Sequence, residues 1–103
     1  MPNDGIISNL PSWGVVEVPA YVDPVGVHPI AMGGFSKGVA SVLSNRLEQY
    51  ELTVDAAIHG DRALALQSML LDGYVQSIDE AEKLLEVMLK AEKKWLPQFW
   101  NTH

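Results

Sequence analysis

Val15-Val16-Glu17-Val18-Pro19-Ala20-Tyr21-Val22-Asp23-Pro24-Val25-Gly26-Val27-His28-Pro29-Ile30-Ala31-Met32 separates a part of the chain that builds sheet from a part that builds helix. Val16, Val18, Ala20 and Val22 recur at period two, so residues 15–22 predict a strand with one apolar face. Asp23-Pro24-Val25-Gly26 has the composition of a type I turn, with Asp first, Pro second and Gly fourth. Residues 27–32 predict the returning strand. Pro19 and Pro29 donate no ladder hydrogen bond, which places each at an edge or a bulge. The product is a β-hairpin, marginal by itself and in need of an element packed on it.

Toward the C-terminus the composition changes. Residues 1–35 hold five of the six prolines and five of the eight glycines, whereas 36–103 are rich in Leu, Ala, Glu and Lys. The spacing predicts a first helix from Ser36 to about His59, with Val39, Leu43, Leu47, Tyr50, Val54 and Ile58 as one apolar stripe. Gly60 is placed to end it and Asp61 to cap a second helix over Arg62–Leu71. That helix carries apolar residues on most of its circumference, which implies burial on several sides, and Asp72-Gly73 ends it. Ser77-Ile78-Asp79-Glu80 has the capping-box pattern. It opens a third helix to about Leu96, ended by Pro97, with Ile78, Ala81, Leu84, Leu85, Met88, Ala91 and Trp95 as its inner face. The fold class is therefore α+β, a short β-hairpin followed by three helices. We treat residues 1–103 as one domain, with a β-rich segment over 1–35 and a helical segment over 36–103.

The totals exclude several functions. Thirteen acids against seven bases give a net charge of −6, which argues against a nucleic-acid partner, since that affinity rests on clustered Lys and Arg. No basic amphipathic face is present for a lipid surface, and no apolar run approaches the roughly 18 residues of a membrane span. There is no cysteine, hence no disulfide and no thiolate metal site. Without a signal-peptide pattern the expectation is a soluble cytoplasmic protein. Hydrophobic residues make up 48% of the chain and charged residues 19%, below the usual ~25% charged. Together with the second helix, that predicts a homodimer or docking to a missing domain.

Few residues suggest chemistry. Gly34-Phe35-Ser36-Lys37-Gly38 matches the G-x-S-x-G nucleophile elbow, with His59 or His103 as the base. The competing reading, a glycine turn with Ser36 starting the first helix, is favoured because no parallel sheet is available to hold an elbow. The same glycines with Lys37 offer an anion nest, but the P-loop pattern is absent. His28, His59 and His103 form no metal-binding spacing. Glu17 alternates with Val16 and Val18 and reads as a solvent-facing strand residue rather than one of a catalytic carboxylate pair. Trp95, Phe99 and Trp100 read as core or interface rather than a sugar-stacking platform.

The whole chain resembles the C-terminal region of glycoside hydrolase family 4, the alpha-galactosidase, alpha-glucosidase, alpha-galacturonidase and 6-phospho-glucosidase family. The resemblance rests on Asn3-Asp4-Gly5-Ile6-Ile7-Ser8-Asn9-Leu10-Pro11, Val16-Glu17-Val18-Pro19-Ala20-Tyr21-Val22-Asp23 and Gly26-Val27-His28-Pro29. It continues through Gln49-Tyr50-Glu51-Leu52-Thr53-Val54-Asp55-Ala56-Ala57, Gly60-Asp61-Arg62 and Leu70-Leu71-Asp72. It implies a piece of a lactate dehydrogenase-like C-terminal domain, from an enzyme that uses NAD and a divalent metal, usually manganese. In that family the sugar is transiently oxidised at C3, the aglycone is eliminated, and water addition and re-reduction follow, outside the two-carboxylate scheme. The residues that bind NAD and metal precede this region, so the resemblance implies no cofactor on this chain alone and no activity in isolation. Gly33-Gly34-Phe35-Ser36 departs from the family's glycine-proline turn. Met1-Pro2-Asn3-Asp4-Gly5 matches the interior of the family pattern, which implies a longer parent polypeptide. Asn3, Asn9 and His28 lie in the matching segments and are the substrate-binding candidates. The alternative is a small non-catalytic helical interaction module, or a subunit complementing a separate NAD-binding chain.

Overall fold

The computed structural model describes residues 1–100. The chain forms two compact units, Met1–Ser44 and a second beginning at Asn45. The elements in order are β1 (Ala20–Asp23), β2 (Gly26–Pro29), α1 (Lys37–His59), α2 (Arg62–Asp72) and α3 (Ile78–Ala91), then a 3-10 turn over Pro97–Phe99. The boundary between the units falls within α1.

In the first unit β1 and β2 pair antiparallel, with Tyr21 opposite His28 and Asp23 opposite Gly26. Two-residue hairpin loops usually need positive φ in the loop. Here neither Pro24 nor Val25 has it, and Gly26 takes φ 148° directly after them. The Asp23 carboxylate accepts the N–H groups of Val25 (2.9 Å) and Gly26 (3.1 Å) and fixes the turn.

Both strands are shorter than residues 15–22 and 27–32 predict, because their outer ends pair elsewhere. Val16 N–H donates to Met1 O (2.8 Å) and Asn3 N–H to Gly14 O (2.7 Å). Met32 N–H donates to Ile6 O (2.8 Å) and Ser8 N–H to Gly33 O (2.9 Å). The N-terminal loop therefore takes ladder positions that the periodicity assigned to the hairpin. Val16 and Val18 pack against Ile7, Leu10 and Ala40, whereas Ala20 and Val22 are exposed. The apolar face thus stops at Pro19.

In the second unit the helix ends follow the local signals. Gly60 (φ 62°) and Gly73 (φ 79°) are left-handed after α1 and α2. Asp61 accepts from the N–H groups of Ala63 (2.9 Å) and Leu64 (3.1 Å). Ser77 Oγ accepts from Glu80 N–H at 3.4 Å. Asp79 and Glu80 in the first turn of α3 and Lys90 in its last complement the helix dipole.

The core here is Ala56, Leu89 and Phe99, with Leu64, Ala65, Leu85, Leu96 and Trp100 packed against it. Burying a side chain such as Leu89 contributes about 1.5–3 kcal/mol. Ser68 on α2 is buried, its hydroxyl 2.6 Å from Thr53 Oγ1 and also bonded to Gln49 O. Arg46 of α1 pairs with Asp72 at the end of α2.

Two faces differ from the expected ones. The predicted stripe of α1 lies largely exposed at Val39, Leu43, Tyr50, Val54 and Ile58, while Ala40 and Ala56 are the buried positions. In α3 the buried line is Ala81 and Leu89, with Leu85 partly buried, and Ile78, Leu84, Met88 and Trp95 are exposed. That helix also ends at Ala91, before Pro97. Glu92 leaves helical geometry (φ −101°, ψ 15°), and the chain turns so that Phe99 reaches the core.

Candidate functional site

The three substrate-binding candidates occupy different settings within the first unit. Asn3 is wholly buried, at 0% exposure. Its amide donates to Ile7 O (2.9 Å), Leu10 O (3.0 Å) and Pro11 O (3.1 Å). Its Oδ1 accepts from Ile7 N–H at 2.7 Å. Every polar atom of this side chain is therefore engaged by the loop that it organises.

Asn9 is exposed and pairs with the backbone of Phe35 on both sides. Its Nδ2 donates to Phe35 O (2.7 Å) and its Oδ1 accepts from Phe35 N–H (2.9 Å). It acts there as a strand partner, pinning the turn that precedes α1.

His28 is part of a cluster at the hairpin that none of the sequence motifs describes. Its ring stacks on Tyr21 with centroids 4.8 Å apart and planes at 20°. Its Nε2 lies 2.8 Å from Asp23 Oδ1. Direct opposition of Tyr21 and His28 follows from the two-residue loop, so counting outward from Pro24-Val25 is the signal that locates it. The cluster presents one aromatic face, one imidazole and one carboxylate to solvent. That set is suited to hydrogen bonding a polyhydroxylated ligand, and only its aromatic contact is apolar.

The His28 hydrogen bond holds the Asp23 carboxyl below its ordinary 3.8; desolvation acts against it, and the Val25 and Gly26 N–H groups act in the same direction as His28. A lowered carboxyl pKa favours the folded hairpin above pH 3.8, and that contribution is lost as pH falls through the depressed value. The expected result is that the Tyr21 and His28 ring signals, followed by NMR, lose their stacked shifts on acidification. In Asp23→Asn they should no longer follow that titration. Unchanged signals down to full protonation of Asp23 would remove its role.

Ser36 starts α1: its carbonyl accepts Ala40 N–H at 2.9 Å. No strand leads into it, since residues 30–36 hold only the bridge between Ile7 and Gly33. His59 Nδ1 contacts the Asp55 carbonyl of its own helix at 3.0 Å. His103 lies outside the described residues. Among the described residues no group of three His, Cys, Asp or Glu is placed to hold a metal ion. Glu17 is exposed.

In the second unit an apolar groove of about 350 Å³ lies among α1, α2 and α3. Ala57 and Thr53 line it from α1, Ala65 and Met69 from α2, and Leu85 and Met88 from α3, with Glu92 as the charged residue at its edge. Beside it, Trp100 donates from Nε1 to Leu89 O (3.3 Å). Its ring carries the Arg62 guanidinium at 4.3 Å and the Lys93 ammonium at 4.6 Å. Periodicity missed the groove because it assigns the apolar stripe of each helix to the interior.

The model of the family 4 glycosyl hydrolase C-terminal domain matches residues 1–75. An alpha-glucosidase of Erwinia rhapontici is 36% identical over 96 residues, covering 93% of this chain and 21% of that protein. A solved 6-phospho-alpha-glucosidase from gut microorganisms, in complex with NAD and glucose-6-phosphate, superposes with a TM-score of 0.85 at 32% identity, over 95% of this chain and 22% of its own. A second 6-phospho-alpha-glucosidase from gut microorganisms, in complex with NAD and Mn2+, has a TM-score of 0.82 at 22% identity over 90% of this chain and 22% of its own, a likeness of fold. The chain thus spans about one fifth of the length of the relatives it matches.

Proposed function

The chain belongs to the family 4 glycosyl hydrolases through their C-terminal domain, and from that premise we propose that it is the C-terminal piece of an NAD- and manganese-dependent glycoside hydrolase, inactive by itself. The observation that carries the reading is the pairing of two coverages. Relatives align with 87% or more of this chain while the chain accounts for about one fifth of each relative.

The residues present do not fit either cofactor. NAD pyrophosphate needs a glycine-rich turn between a strand and a helix N-terminus. Here the turn before α1 reads Gly33-Gly34-Phe35-Ser36-Lys37-Gly38, without the G-x-G-x-x-G spacing. A manganese site needs convergent His, carboxylate or similar ligands, and the described residues hold no such group of three. In this reading the chain supplies packing surface, and the chemistry resides in polypeptide that precedes the matching region in the family.

The reading also includes a cytoplasmic location and a homodimer. No helix among the described residues is long and apolar enough to cross a membrane, and the chain has no cysteine. Among the described residues twenty-one large apolar side chains are exposed, whereas the buried apolar residues are seven, three of them alanine. A core this small calls for a partner, in the form of a second copy or a separately supplied NAD-binding polypeptide.

The purified chain, given NAD, Mn2+ and p-nitrophenyl glucosides of both anomers with and without a 6-phosphate, is expected to release no p-nitrophenol. Calorimetric titration with NAD is expected to be flat. Turnover, or saturable NAD binding by this chain alone, would sink the proposal.

A further inference from the structure

The cluster of Tyr21, Asp23 and His28 is open to solvent on one face of the hairpin, and we propose that it binds a neutral hexopyranoside. The C–H face of the sugar lies on the Tyr21 ring, and its hydroxyls donate to the Asp23 carboxylate and to His28. This rests on the glycosidase reading above for the class of ligand, and adds to it a contact surface and a preference for sugar without phosphate.

The register assembles the site. Tyr21 stands opposite His28 and Asp23 opposite Gly26. Ile30 N–H donates to Pro19 O at 2.9 Å, so the same pairing runs one step further from the turn. Side chains alternate between the faces of a strand. Ile30, Tyr21, His28 and Asp23 therefore share one face, and Val22 and Val27 lie on the other. Gly26 sets no side chain opposite Asp23, which leaves the carboxylate open on that side. Successive positions on one face are roughly 6–7 Å apart, a span that one sugar ring bridges from Tyr21 to Asp23.

The hydrogen-bonding capacity left over selects the ligand. Asp23 Oδ1 is engaged by Val25 N–H (2.9 Å), Gly26 N–H (3.1 Å) and His28 Nε2 (2.8 Å). Those bonds pin the carboxylate, and Oδ2 has no partner among the described residues. A carboxylate only accepts, so Nε2 carries the hydrogen and Nδ1 of a neutral His28 is an acceptor as well. His28 covers one face of the Tyr21 ring, yet Tyr21 is 57% exposed, so its other face meets solvent. Fixed acceptors beside a bare aromatic face suit a ligand that carries hydroxyl donors around an apolar C–H face. A phosphate would call for Arg or Lys. Lys37 is the one such residue in 1–44 and lies outside the hairpin. The Asp23 carboxylate would repel a phosphate dianion.

NMR titration of the whole chain with methyl glucopyranoside, methyl galactopyranoside and glucose 6-phosphate tests this. At least one methyl glycoside is expected to give saturable, millimolar shifts at Tyr21, Asp23 and His28. Glucose 6-phosphate should bind about tenfold more weakly or worse. Asp23→Asn keeps an oxygen for the turn but replaces the free acceptor, and should weaken binding about tenfold while the hairpin signals stay dispersed. Tyr21→Ala should abolish binding and Tyr21→Phe, which keeps the ring, should retain it. Val22→Thr, on the opposite face, should change nothing. No saturable shift with either methyl glycoside, shifts confined to Val22 and Val27, or undiminished binding in Asp23→Asn would each overturn the proposal. So would glucose 6-phosphate binding as tightly as the methyl glycosides. The titration contains no NAD and reads no turnover, so it fails separately from the proposal above.

Discussion

Asn3→Ala is expected to unfold the N-terminal loop, and with it most of the first unit, while α2 and α3 keep their structure. The native side chain is fully buried and satisfies three carbonyls and one N–H of residues 7–11. Alanine leaves Ile7 N–H and Leu10 O without partners in a buried space, while Ile7 O and Pro11 O keep the N–H groups of Leu10 and Gly14, and each unsatisfied buried group costs about 1–3 kcal/mol. Partial relaxation brings the sum to about 3–5 kcal/mol, the upper end for a single substitution. A unit of 44 residues has roughly 2–7 kcal/mol of stability in all. The loss is therefore comparable with the whole.

Amide hydrogen exchange gives the readout. Ile6, Ser8 and Met32, whose N–H groups are bonded within this loop, should exchange freely in the variant, while Leu89 amide exchange stays slow. Asn3→Asp should do no better. It keeps the acceptor for Ile7 N–H but replaces the amide donors with a carboxylate buried against three carbonyl oxygens. Wild-type protection of Ser8 and Met32 in either variant would show that the loop is held by something else.

Asn3 also shows where reading the residues stops. Its place in a family-like segment is visible from the sequence, and that makes it a ligand candidate. That it is the hub of its own loop depends on residues 7–11 turning back over it, which no periodicity encodes. The hairpin was legible because its turn is written in four adjacent residues. Its length was not, because Met1, Asn3, Ile6 and Ser8 take the pairing positions of its outer ends.

The helices divide in the same way. Asp61, Ser77, Gly60 and Gly73 mark helix ends through contacts within a few residues, and the structure places the ends of α2 and the start of α3 there. Which face of a helix is buried is a tertiary property. In α1 the predicted apolar stripe lies largely outward and the small Ala40 and Ala56 lie inward, and in α3 Ala81 and Leu89 lie inward while Ile78, Leu84 and Met88 lie outward. Small residues permit close approach of helices, whereas the large outward ones remain available to whatever covers them. The Tyr21, Asp23 and His28 cluster lies between these cases, because its composition is local but its geometry needs the register.

Gly60→Ala and Gly73→Ala are expected to differ by about 3 kcal/mol although both glycines end helices with a left-handed backbone, φ 62° and 79°. An alanine in that conformation costs roughly 1–2 kcal/mol at either site. At Gly73 nothing lies within 4 Å of an added Cβ, so the backbone term stands alone. At Gly60 the Cβ would meet the Gln98 carbonyl oxygen at 2.2 Å and its carbon at 2.6 Å, both backbone atoms. Gln98 cannot yield cheaply. Its side chain donates to Ala57 O at 3.0 Å, and the next residue is the buried Phe99, whose carbonyl accepts from Arg62 Nε at 3.1 Å. Relieving the clash pushes the Pro97–Phe99 turn away from α1 and withdraws Phe99 from Ala56 and Leu89. With the backbone term included, Gly60→Ala should cost about 4–5 kcal/mol, the range of losing a buried aromatic. Thermal unfolding should register about 16–40 °C for Gly60→Ala and about 4–16 °C for Gly73→Ala, at 4–8 °C per kcal/mol for a unit of this size. Equal shifts for the two variants would mean that the C-terminal turn does not rest on Gly60, and the core of the second unit would then close without Phe99.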